Sequence, residues 1–93
     1  MGTQDRGAIG FYVSHASQYG RAELRFRAES AEGTRLAESP TFKGDASFGP
    51  NPRNPEHQEA LAELLGRLAS LGWTTDGTRP DPWYAWKLRR RSG

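Results

Sequence analysis

The sequence predicts a small α+β domain: an antiparallel four-stranded sheet with one helix packed on one face, in the order β-β-β-α-β. Apolar residues alternate with a period of two at Ile9, Phe11 and Val13, and again at Ala22, Leu24, Phe26 and Ala28. Leucines recur at helical spacing from Leu61 to Leu71, and the chain closes on an aromatic-basic run, Trp83-Tyr84-Ala85-Trp86-Lys87-Leu88-Arg89-Arg90-Arg91. Strand side chains point alternately to the two faces of a sheet, so each strand offers one apolar face for a helix to cover.

The first strand runs through Ile9, Phe11 and Val13 and ends near His15, and Ala16 to Gly20 reads as a turn. The second is the most regular, with Arg21, Glu23, Arg25 and Arg27 alternating against its apolar set. Ala31-Glu32-Gly33-Thr34 makes a tight hairpin, Gly33 supplying the positive φ that such turns use. A short third strand, Thr34 to Ser39, adds Leu36 to the core. Pro40 ends it, having no amide proton for the ladder, and Phe42 folds back to plug one end of the core. Gly44 to Asn54, rich in glycine, proline and asparagine, reads as a long loop.

The helix has both ends marked. Asn54 is an N-cap, Pro55 suits the first helical position, and Glu56 and Glu59 complement the positive end of the helix dipole. Leu61, Leu64, Leu65, Leu68 and Leu71 form its apolar face, Glu63 and Arg67 pair four residues apart, and Gly72 stops it with Trp73 folding back on Leu68. Thr74 to Pro82 reads as a connection. The last strand then starts at Trp83 and lies beside the first, giving the spatial order 4-1-2-3.

Ninety-three residues make a single domain, 1–93, with 1–7 and 91–93 expected as disordered ends. Hydrophobic residues are 34% of the chain, which implies a thin core. The absence of cysteine excludes disulfides, thiolate metal sites and cysteine nucleophiles. There is no apolar signal region at the amino end, and no run approaches the roughly 18 apolar residues of a membrane span, so the expectation is a cytoplasmic protein with no membrane partner. Eleven arginines and two lysines against 11 acidic residues give a net charge of +2. From Arg79 onward five cations face only Asp81, a local net of +4 that leaves −2 on residues 1 to 78.

Catalytic and metal chemistry finds little support. His15 and His57 have no partner at metal-ligand spacing, and His57 in the first helical turn reads as solvent-facing. Glu56, Glu59 and Glu63 follow helical spacing, as a solvated face does. Gly44-Asp45-Ala46-Ser47-Phe48-Gly49 lacks the lysine and the strand-to-helix setting of a phosphate loop. No catalytic residue, metal ligand or cofactor is therefore expected.

The outer sheet face remains. If Tyr84, Trp86 and Leu88 face the helix, Trp83, Lys87 and Arg89 share the other face with Arg25, Arg27 and Tyr12, where bases could stack and phosphates be neutralised. Against this stands Glu23 on the same face, and cross-strand Arg/Glu pairing is the plainer explanation of such a surface. The run closing with Gly33-Thr34-Arg35 and Ser39-Pro40-Thr41-Phe42-Lys43 ahead of a helix resembles, over residues 9 to 71, the AP2-like arm-type DNA-binding domain of phage-type integrases. That resemblance implies DNA contacts from Arg21, Arg25 and Arg27. The whole chain looks like small bacterial β-β-β-α-β proteins of uncharacterised function, which implies a fold and no activity. The resulting expectation is a non-enzymatic module, monomer or weak dimer, binding nucleic acid through Arg25, Arg27, Trp83, Lys87 and Arg89. Its rival is a protein-interaction or self-association module using an exposed sheet edge.

Overall fold

The computed structural model describes residues 4–16 and 21–91. They form β1 (Gln4–Ala16), β2 (Arg21–Ser30), β3 (Arg35–Glu38), β4 (Phe42–Asp45), α1 (Pro55–Ser70), β5 (Trp73–Asp76) and β6 (Lys87–Arg91). All six strands belong to one antiparallel sheet in the order β3-β2-β1-β6-β5, with β4 also paired to β2. The α+β class with a single helix therefore stands. The four-stranded sheet in the order 4-1-2-3 is corrected to six strands, although the closing strand does lie beside the first.

Both additional strands have a local cause. β2 is ten residues long and β3 only four, so half of β2 would lack a partner on that side. β4 supplies it, pairing Leu24 with Phe42 through Arg21 with Asp45. Ser39-Pro40-Thr41 joins β3 to β4 as an interruption in one edge. There the Ser39 amide donates to the Phe26 carbonyl at 3.0 Å, and the Phe26 amide donates to the Ser39 hydroxyl at 3.0 Å. The Ser39 hydroxyl takes the place of a ladder carbonyl as the acceptor where Pro40, which has no amide proton, interrupts the edge. On the opposite edge β5 pairs with β6, from Trp73 with Arg90 to Asp76 with Lys87.

The helix follows its sequence signals. The Asn54 side chain accepts from the Glu56 amide at 2.9 Å, Pro55 opens the helix, and Arg67 pairs with Glu63 at 3.3 Å. Gly72 takes φ +88° immediately after it, turning the chain so that Trp73 enters the core. Leu61, Leu64 and Leu68 are buried against Leu24, Phe26, Ala28 and Leu88. Leu71, expected on the same face, is exposed, since the helix has already ended at Ser70.

The segment before β6 departs most from expectation. Ala85 donates to the Pro82 carbonyl and Trp86 to the Tyr84 carbonyl, so 82–86 is a turn and not the beginning of the strand. Of the expected ends, residues 1–3 and 92–93 lie outside the described residues, as do 17–20 of the expected turn. Gln4 to Gly7 belong to β1, and Arg91 closes β6.

Candidate functional site

Residues opposed in an antiparallel pair project to the same face, so the register sorts the two sides of the sheet. Ile9 with Ala28, Phe11 with Phe26 and Val13 with Leu24 face the helix. Tyr12 with Arg25, Gly10 with Arg27, Ala8 with Lys87, and Arg6 with Arg89 face away from it. Four of the five expected contact residues, Arg25, Arg27, Lys87 and Arg89, thus share the outer face.

Trp83 does not, and its expected place there is corrected. It packs edge-to-face on Phe26, 5.8 Å between centroids, beside Tyr84, and its indole N–H donates to the Pro50 carbonyl at 3.3 Å. Tyr84 in turn meets Phe26 and Phe11 at 5.4 and 5.6 Å. Alternation governs a side chain only within a strand, and Trp83 precedes the strand. The cluster closes the core on the helix side. Tyr84 is itself pushed above the usual phenol range by burial.

On the outer face the charges are laced together. Glu38 is the hub: its carboxylate accepts from the Tyr12 hydroxyl, lies 3.2 Å from Arg25 and 2.8 Å from Arg35. The Tyr12 hydrogen bond is the largest cause holding Glu38 below its ordinary carboxylate range, against the opposing effect of burial, with Arg25 and Arg35 adding to it. Arg25 thus shares the Glu38 carboxylate with Arg35. Arg27 lies over the Tyr12 ring, 4.0 Å from its centroid, and reaches Glu29 at 3.6 Å. Its Nε has no hydrogen-bond partner among the described residues, and the Arg25 Nε shares that state. Arg6 pairs with Asp76, while Arg89 comes only to 3.9 Å from the same carboxylate.

An open groove of about 450 Å³ lies on this face, with Ala8 and Gly10 among its lining and Arg6, Arg27, Lys87 and the carboxylate of Glu29 around it. A side chain added at Gly10 would meet nothing within 4 Å, so the groove is open because its floor residues are small. No ion pair is found for Lys87 among the described residues. Sequence reasoning missed Arg6, Ala8 and Gly10, although they continue the Tyr12 alternation backwards along β1. Arg6 was obscured by the expectation that the chain is disordered up to Gly7, and Ala8 and Gly10 carry no charge to draw notice.

His57 is a second departure. It is 2% exposed, accepts from the Asn51 amide at Nδ1 (2.8 Å), and its Nε2 lies 2.7 Å from the Lys43 carbonyl. With Nδ1 accepting, Nε2 carries the proton and donates. The imidazole therefore ties the helix start to the preceding loop and to β4, a structural role with both nitrogens occupied. No group of three or more acidic, histidine or cysteine side chains able to hold a metal occurs among the described residues. No family model matches the chain, and no match was found among curated proteins or solved structures.

Proposed function

We propose that this chain is a small non-catalytic binding module that takes the phosphate backbone of a nucleic acid on its outer sheet face. The supporting observation is the groove floored by Ala8 and Gly10, at which three cations, Arg6, Arg27 and Lys87, outnumber the one carboxylate, Glu29, with Arg89 next to Arg6 across the β1–β6 pair. Lys87 has no internal counter-ion among the described residues, and Arg27, seated on the Tyr12 ring, reaches the Glu29 carboxylate at 3.6 Å. In this reading both neutralise phosphates. Arg25 acts differently, as a positioning residue within the Glu38 hub.

The displaced Trp83 narrows the ligand. Sequence-tolerant binding of single strands depends on exposed aromatic rings, and on this face Tyr12 is covered by Arg27 and bonded to Glu38. The reading is therefore backbone contact by charge, which favours no base. NMR amide shifts followed while mixed-sequence duplex DNA and RNA are added at two salt concentrations test it. Shifts confined to Arg6, Ala8, Arg27 and Lys87 that shrink with salt are expected. Shifts centred on Trp83 or His57, or none at low salt, would refute it. Association through a sheet edge is a second reading, and a separate feature of β1 favours it.

A further inference from the structure

Two of the sheet's three open edges carry features that discourage further pairing. The β3–β4 edge is broken at Pro40 and carries Arg35, Glu38, Lys43 and Asp45, while β5 is only four residues long. The third edge lies on β1. β6 pairs with β1 only from Gln4 to Ala8, and the Ile9 amide makes a last bond to the Trp86 carbonyl at 3.0 Å. Beyond it, Gly10-Phe11-Tyr12-Val13-Ser14-His15-Ala16 has β2 on one side and no strand on the other among the described residues.

Backbone alternation fixes which groups are presented there. Since the Ile9 amide points toward β6, those of Phe11 and Val13 point the same way, while those of Gly10 and Tyr12 point to β2. The segment contains no Lys, Arg, Asp, Glu or Pro, and Val13 is 40% exposed. Unlike the other two edges, it has neither charge nor proline to deter pairing.

We propose that a second copy of this chain pairs with this edge, β1 against β1, antiparallel about a two-fold axis at Tyr12. In that register Phe11 of one copy exchanges hydrogen bonds with Val13 of the other, and the symmetry repeats the exchange. The presented groups of the two copies coincide, which is what self-complementarity requires. Phe11 and Val13 side chains then meet on the helix side and cover the exposed valine. An uncharged strand is matched by an uncharged strand, and the neighbouring Arg25 and Arg27 bring their own counter-ions Glu38 and Glu29. An overlap this short makes a weak dimer, since stable ones bury upward of about 1,000 Å².

Sedimentation equilibrium of the full chain from about 10 μM to about 1 mM, together with amide hydrogen exchange at both ends of that range, tests the proposal. The mass is expected to rise toward a dimer. Exchange at Phe11 and Val13 should slow with concentration, while the Tyr12 amide, bonded to β2, stays constant. Val13→Lys should weaken the dimer about tenfold or more with the circular dichroism spectrum unchanged. A monomer at every concentration would overturn the proposal. So would a dimer that survives Val13→Lys with the amides of positions 11 and 13 still exchanging freely, because another surface would then hold it.

Discussion

The Arg27 guanidinium lies 4.0 Å above the centre of the Tyr12 ring, on the face that the sheet turns away from its helix. The same ring sends its hydroxyl to Glu38, so one tyrosine carries a cation on its face and a carboxylate at its tip. What the outer face offers a ligand follows from this pairing: the ring is already occupied, and the cations differ in how well they are satisfied.

Tyr12→Phe separates the two contacts. It keeps the surface under Arg27 and removes the hydroxyl from Glu38, which should cost about 1–2 kcal/mol for a hydrogen bond to a charged group at a half-buried site. Urea denaturation at neutral pH measures it, and a loss below about 0.3 kcal/mol would mean that the Glu38 hub is slack.

The hub also sets an acid limb. Glu38 has a folded-state pKa below its ordinary value, so its carboxylate binds a proton less readily folded than unfolded. Its stabilisation is fully present above the ordinary carboxylate range and is lost as pH falls through the lowered value. Glu38→Gln should flatten the decline in urea midpoint on the acid side of that range relative to the unaltered chain. An unchanged acid limb would contradict the hub.

Ser39→Ala removes the acceptor for the Phe26 amide at the interrupted edge, where both residues are buried. A buried donor left unpaired costs about 1–3 kcal/mol, and urea unfolding should register a loss in that range. His57→Ala should cost about 3 kcal/mol or more, because it orphans the Asn51 amide and the Lys43 carbonyl and leaves a void beside Phe42. A near-neutral result for either would place these bonds outside the folded state's needs.

Much of this architecture was legible in the residues, for identifiable reasons. Asn54-Pro55 and Gly72 each carry end chemistry that acts locally, and the helix starts and stops where they place it. The alternation in β2 was equally plain, and it correctly assigned Arg25 and Arg27 to the outer face. β4 and β5 were not legible, because four residues such as Phe42-Lys43-Gly44-Asp45 are strand only through their pairing with β2, a long-range relation. Trp83 misled because a period of two presupposes a strand, and the hydrogen bond from Ala85 to Pro82 makes that stretch a turn. Glu38 carried no signal at all: its importance arises only when β3 brings it next to Tyr12 and Arg25.

Trp83→Phe offers a clean separation of core from surface. It should lower stability by about 1–2 kcal/mol through the lost bond to Pro50 and reduced packing, yet leave polyanion affinity unchanged. Affinity measured by fluorescence anisotropy alongside urea unfolding reads both. An affinity loss without a stability loss would return Trp83 to the binding surface.

The most direct test of the outer-face proposal is the salt dependence of binding to a fluorescently labelled mixed-sequence duplex, by anisotropy, for the unaltered chain and Lys87→Glu. Affinity should fall linearly on logarithmic axes as salt rises, and Lys87→Glu should weaken binding at every salt concentration while lowering the slope by about 1. Absence of binding at low salt, or equal affinity and slope for the two proteins, would contradict a phosphate-binding outer face.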